Sequence, residues 1–300
     1  MTFHLFGNVL TRYGAAANNR GENEGNITTL QKLLWKGQVH TTVSAEAIRW
    51  ALRYHWQING ATELTKVNRQ WSDADNDNRL LGEFSDETFI DDDVLGFMRA
   101  EGAKEEASDE PKTKGKKPKG TTTARRGVLE VTRAVSTTPY SGDITFNAKS
   151  GQKGRTSLYG TEVHATRYQY GFAMTPSRLT KPERVLPTID GLISLGEVAG
   201  NHSRFLYDFS PESVVLRWTH DFSPRFLYCF EETEDGEIGA DDLIARIDSG
   251  DLSPDELFIA GSIVGTSTGE QFRALGVKTF PGIKAAVSEL KKRIATDVEL

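Results

Sequence analysis

Three stretches of this chain alternate apolar and polar residues with a period of two, and few folds accommodate that pattern in the order found here. They are VLEVTRAV (128–135), VHATRYQYGF (163–172) and VVLRWTHDF (214–222). Successive side chains of a strand point to opposite faces, so such alternation marks half-buried strands. In the first, Leu129, Val131, Arg133 and Val135 share a face. In the second, His164, Thr166, Tyr168, Tyr170 and Phe172 do; in the third, Val214, Leu216, Trp218 and Phe222. Residues 3–10 form an apolar run that reads as a buried strand.

Two helices interleave with these strands. VHTTVSAEAIRWALRYHW (39–56) has Ser44 as an N-cap, with Val43 and Ile48 placed as a hydrophobic staple across it. A second helical stretch runs from about 183 to 198 and ends at Gly200, a natural C′ glycine. The order strand, helix, strand, strand, helix, strand predicts the α+β class. It fits a ferredoxin-like sheet, elaborated within one domain of 300 residues. A last amphipathic helix fits Ile283, Ala286, Val287, Leu290 and Ile294, inside a C-terminal elaboration over 233–300.

Insertions are expected at about 60–125 and 147–161. GAAANNRGENEGN (14–26) is a loop by composition. Residues 73–93 hold nine acids and read as a solvated acidic loop. DADNDNRLLGEF resembles a calcium loop but has Asn78 where the glycine belongs and Phe84 where the glutamate belongs. Residues 101–123 are low-complexity and basic in their second half; with so little apolar content they read as a flexible insertion.

The chain is 37% hydrophobic, enough for a core, and its formal charge of -6 argues against a simple DNA-coating protein. One cysteine, Cys229, excludes an internal disulfide framework, and the six histidines match no metal spacing. No metal and no cofactor are expected. No apolar segment reaches about 18 residues, so no membrane partner is expected and the cytoplasm is the default location.

Cationic chemistry is concentrated in three places. At about 100° per residue, Glu46, Arg49, Arg53 and Gln57 form one narrow exposed arc of the first helix. Thr41, Thr42 and Ser44 precede it, where a helix start offers N–H groups to an anion. Two readings of this stripe follow: a phosphate track, or Glu46 paired with Arg49 in water. Residues 144–182 carry six bases against the single acid Glu162. There the glycine-rich AKSGQKGRTSLYG, with Lys149, Lys153, Arg155, Leu158 and Tyr159, can track a phosphate backbone and wedge apolar groups between bases; the alternative is an ordinary hairpin loop. GNHSR (200–204) joins glycine, amide, imidazole and arginine but is no Walker loop. Motifs of hydrolases, zinc proteases and dinucleotide enzymes are absent, and Cys229 inside FLYCF reads as a buried thiol.

GNVLTRYGAAANNRGENEGNITTL, VSAEAIRWALR, SLYGTEVHATRYQYGFAMTP and AGNHSRFLYDFSPESVVLRWTHD together resemble the DevR-type backbone subunit of type I Cascade, subtype I-B, the seventh Cas protein family. The resemblance runs to about Phe230, outside the low-complexity insertion. It implies an RRM-like palm on CRISPR RNA, with web or fingers and a thumb hairpin that displaces one nucleotide at intervals. Copies stack along the guide in a filament. The implied partners are the guide, the target DNA strand paired with it, and Cascade subunits of Cas families five, six and eight with a small subunit. The implied RNA-binding residues are Asn18, Asn19 and Arg20; Ser44, Arg49 and Arg53; and Gly200, Asn201, His202 and Arg204. The chain departs from many relatives at Glu46, where they have glutamine. Two rival readings are a transcriptional autoregulator on duplex DNA and a metal-dependent ribonuclease. Type III relatives cut RNA with a first-loop aspartate; here that loop offers only Glu22 and Glu24, and Asp73 is the first aspartate.

Overall fold

Every residue of His4–Thr11 is buried, and a strand buried on both faces needs cover on both sides. The structure, a computed structural model, describes residues 1–17, 19–100, 122–149, 157–199, 205–233 and 235–300. Its large sheet comprises β1 (His4–Thr11), β2 (Lys32–Trp35), β3 (Gln38–Val43), β4 (Glu130–Val131), β5 (Ala134–Ser136), β6 (Tyr168–Met174), β7 (Pro211–Thr219), β8 (Leu257–Gly261) and β9 (Lys278–Phe280). Their spatial order is β9-β8-β7-β1-β6-β5-β3-β2, with β4 also paired to β6. The helices are α1 (Ala45–Ile58), α2 (Ile90–Val94), α3 (Val185–Leu192), α4 (Asp241–Asp248), α5 (Ser267–Ala274) and α6 (Ile283–Asp297). With α1 after β1 and α3 after β6, the strands β1, β5, β6 and β7 form an antiparallel β-α-β-β-α-β unit. The C-terminal residues add two strands to the same sheet.

Alternation sorts the core into two layers. Leu5, Val9, Tyr170, Phe172, Leu216 and Trp218 pack with α1, α3 and α6 on one face. Phe6, Leu10 and Val215 meet Phe226, Phe230 and the apolar sides of α4 and α5 on the other. Burying each such side chain stabilises by about 1.5–3 kcal/mol relative to exposure.

Several expectations need correction. The 128–135 stretch is not one strand: it breaks at Thr132, whose N–H donates to the Gly171 carbonyl (2.8 Å) while its hydroxyl accepts from the Gly171 N–H (2.8 Å). The 163–172 stretch turns a corner at Arg167, leaving Ser157–Thr166 in a second, five-stranded sheet and continuing as β6. Arg167 is pinned there by Glu212 (2.7 Å) and Glu232 (2.6 Å). The 14–26 loop contains the strands Gly14–Ala16 and Asn19–Glu24. The second helix stops at Leu192, and Gly200 lies outside the described residues, as does 101–121.

The largest departure is the acidic run, whose end is not solvated. Asp91, Asp92 and Asp93 form the body of α2 and are all buried. Asp91 accepts from Arg53 Nε (3.2 Å) and from the Asn68 N–H (2.7 Å). Asp92 accepts from Asn68 Nδ2 and the Ser85 N–H, both at 2.9 Å. Asp93 pairs with the fully buried Arg184 (2.8 Å) and with Arg125, and accepts from the Thr180 N–H (2.9 Å). The run thus clamps the 60–100 excursion between α1 and the start of α3.

A neutral network lies under the second sheet. The Thr41 hydroxyl sits between His164 Nδ1 (2.7 Å) and the Tyr168 hydroxyl (2.8 Å), with Thr138 close to His164 Nε2 (3.4 Å). Burial pushes the His164 imidazole down to about 4 from its ordinary 6.5.

Two outcomes follow. Asp93→Ala leaves Arg184 buried without its carboxylate and lowers the unfolding free energy by roughly 3–5 kcal/mol, read by urea titration. For His164, the unfolded chain takes up a proton between pH 6.5 and 4 while the folded chain resists it. Its contribution is complete above pH 6.5 and is lost as the pH falls toward 4. Melting temperatures measured at pH 7 and pH 5 therefore differ less in His164→Gln than in the parent.

Candidate nucleic-acid interface

α1 begins where its sequence predicts: Ser44 is extended and its hydroxyl accepts from the Ala47 N–H (3.2 Å). Ile48, Ala51, Leu52 and Trp56 give it a buried face. Of the arc opposite, only Glu46 is exposed; Arg49, Arg53 and Gln57 are half-buried and engaged. Arg49 donates to the Leu95 carbonyl, and Arg53 is ion-paired with Asp91. Gln57 exchanges hydrogen bonds with the Trp71 backbone (2.8 and 2.9 Å). Burial draws both guanidinium pKa values below the ordinary one. The arginine stripe is therefore corrected from a surface track to the seat of the 60–100 excursion. Thr41 is corrected too, since its hydroxyl is consumed in the core.

What α1 presents outward comes from its neighbours. Arg133, exposed at the break between β4 and β5, reaches Gln31 Oε1 (2.7 Å) and the Thr42 hydroxyl (3.2 Å), one turn from the helix start. Across its backbone the Tyr228 hydroxyl donates to the Arg133 carbonyl (2.7 Å), and the Tyr228 ring lies 4.9 Å from that of Trp35. Most other described arginines are paired: Arg125, Arg126, Arg167, Arg184 and Arg217 all hold carboxylates. Arg133 and Arg178, like Arg49, Arg69 and Arg273, have no carboxylate ion pair among the described residues. A guanidinium without internal charge compensation, held by neutral acceptors next to the Ser44-capped helix start and two rings, is suited to a phosphate and its base.

The second sheet carries a hairpin, Asp143–Lys149 with Ser157–Thr166, in which Lys149 faces Ser157 and Asn147 faces Tyr159. Phe146 is 77% exposed and Leu158 64%, so one face of this hairpin is apolar and open to solvent. Tyr159 is half-buried. Asn19 and Arg20 stand on the strand Asn19–Glu24, separated from the hairpin by the strand Ile27–Leu30. Asn18, Lys153, Arg155, Gly200, Asn201, His202 and Arg204 lie outside the described residues.

Sequence reasoning passed over Arg133, Trp35, Tyr228 and Phe146. The available signal for Arg133 was a lone base on a face otherwise made of Leu129, Val131 and Val135. Phe146 had none, because an aromatic residue in an alternating stretch reads as core.

Comparison with known proteins places this architecture. A model of the family described as CRISPR-associated negative auto-regulator DevR/Csa2 matches residues 9–242. The CRISPR-associated protein Cas7/Cst2/DevR of Myxococcus xanthus (strain DK1622) is 47% identical over 312 residues, spanning 98% of each chain. The similarity thus continues past Phe230 into the C-terminal elaboration. Two solved structures share the fold: a CRISPR RNA-guided surveillance complex chain (TM-score 0.59, 13% identity) and a pre-nicking form (TM-score 0.60, 10% identity). Each comparison covers 98% of this chain and 99% of the other. By the family model and the M. xanthus relative together, this chain belongs to the DevR/Csa2 family of CRISPR-associated proteins.

Proposed function

We propose that the chain is a non-catalytic, CRISPR RNA-binding backbone subunit of a type I-B Cascade complex. In this reading the β1, β5, β6 and β7 unit with α1 and α3 is the RRM-like palm, and the thumb, at about 147–161, is carried by the paired strands Asp143–Lys149 and Ser157–Thr166. Copies line the guide side by side in the cytoplasm and hold it for pairing with target DNA, next to the other Cascade subunits. Sequence is then read by base pairing and not by the protein. Family membership supports the reading, as do structural neighbours titled RNA-guided surveillance complexes. The observation that carries it is the outward Arg133 guanidinium beside the start of α1, next to the Trp35 and Tyr228 rings. The segments 14–26 and 200–204, singled out by the family resemblance, supply the remaining contacts in this reading, and the apolar hairpin face with Phe146 and Leu158 suits contact with unstacked bases.

The description of the matching family as an auto-regulator favours a second reading, recognition of duplex DNA. Such recognition commonly lays a helix in the major groove. α1 is poorly placed for this, with its apolar side on the sheet and its arginines on the 91–95 segment. Competition between guide RNA and promoter duplex separates the two readings. Release of labelled RNA fragments in magnesium, lost in a Glu22→Gln, Glu24→Gln variant, would instead reveal a nuclease.

Arg133→Ala is expected to weaken RNA binding alike for all sequences. It reduces the slope of log affinity against log salt by about 0.7, one single-strand phosphate contact. Arg49→Ala with Arg53→Ala lowers thermal stability and leaves that slope in place. Filter binding across a salt series reads both, and an unchanged slope in Arg133→Ala rejects the assignment.

A further inference from the structure

The sheet face opposite α1 is covered by the C-terminal helices only in part. Asn8 shares that face with Phe6 and Leu10 by alternation, and its Oδ1 accepts from the Tyr228 N–H (3.0 Å). The Tyr228–Trp35 pair therefore lies on this side. Next to it opens a cleft of about 340 Å³, lined by Phe6, Val131, Ala173 and Leu227, reaching Phe222 and Arg178, with the Glu130 carboxylate, itself paired with Arg126, at its wall. Phe222 is 65% exposed. The Arg178 guanidinium stands 5.6 Å over its ring, and His4 meets it edge-on at 4.9 Å.

The row is held in place. Gly171 has no side chain, and a Cβ there would come within 2.4 Å of Leu227 Cδ2, so only glycine lets Leu227 seat so closely. Arg225 and Tyr228 adopt left-handed backbone (φ 60° and 57°), which costs energy in a non-glycine residue and persists only under surrounding constraint. Arg217 supplies part of that constraint by donating to the Ser223 carbonyl (2.7 Å). Rings presented this way lose little freedom on binding a ligand.

Charge selects the ligand. Arg133 follows Thr132, which also lines the cleft, and Arg178 lies at the other end. These two arginines lack carboxylate partners among the described residues of an acidic chain. An apolar peptide would fill the cleft but leave both cations unanswered. A nucleotide answers both features, a planar base for the rings and a phosphate for each guanidinium. We propose that the row Trp35, Tyr228, Leu227 and Phe222 is a stacking track for unpaired bases of single-stranded nucleic acid. The cleft takes one base, and Arg133 and Arg178 hold the flanking phosphates. This rests on the RNA-binding reading above, shares Arg133, Trp35 and Tyr228 with it, and extends it along the cleft to Leu227, Phe222 and Arg178.

Photo-crosslinking of the full chain to a single-stranded RNA oligonucleotide carrying 4-thiouridine tests the track, with mass spectrometry of the linked peptides. Adducts are expected at Trp35 or within 222–228. Phe222→Ala, at an exposed position where folding survives, is expected to bind about tenfold more weakly, and Phe222→Trp to retain affinity. Equal affinity of parent and Phe222→Ala, with adducts confined to other segments, overturns the track; RNA binding that still depends on Arg133 then leaves the broader reading intact. A parent protein that binds no RNA overturns both.

Discussion

The buried pair of Arg184 and Asp93 is the constraint on which much of this molecule rests. Two ions taken out of water carry a desolvation cost of several kcal/mol each, offset only where geometry and further hydrogen bonds are good. Here Arg184 also donates to the carbonyls of Asp86 and Glu87, and Asp93 also accepts from the backbone at Thr180 and Lys181. The neighbouring Asp91 extends the same logic to α1 through Arg53, and Asp92 to the 68–85 segment. Three consecutive carboxylates thereby tie together pieces of chain that also meet in the core through Val67, Ile90, Val94 and Leu95. Local repulsion among them is outweighed because each faces a different set of donors.

That arrangement explains why parts of the fold were legible and others were not. β1, the core of α1, and α6 could be read directly, because an unbroken apolar run and a 3.6-residue period are local patterns. The acidic run could not. A row of aspartates has the composition of a solvated loop, and its burial depends on Arg53, Arg125 and Arg184, 30 to 90 residues away. Likewise the alternation of 163–172 continues without interruption through Arg167, although the chain there leaves one sheet for another. Only Glu212 and Glu232, remote in sequence, mark the corner.

The site shows the same division. The long ordered motifs pointed to the family, and the N-cap at Ser44 was legible from its neighbours. Which arginines face a ligand was not, because that is a question of which lack an internal partner. Arg49 and Arg53 have helical spacing that suits a phosphate track, yet the backbone at Leu95 and the carboxylate of Asp91 occupy them. Arg133 sits in a strand pattern, yet a break in the strand and neutral acceptors at Gln31 and Thr42 leave its charge uncompensated.

For an acidic chain proposed to bind a polyanion, the useful quantity is therefore the uncompensated cation and not the total of lysines and arginines. Attraction to a phosphate falls when a guanidinium already holds a carboxylate, since the ligand must then compete with a charge fixed at contact distance. The ion pairs that build this fold withdraw most arginines from that competition. With most described arginines already holding carboxylates, affinity in the proposed role draws on two other terms. One is ring stacking, which salt does not screen. The other is repetition, because in the proposed filament copies engaged along one strand raise the effective concentration of every later contact. A subunit with modest charge and preset rings is thus better suited to acting in series than alone.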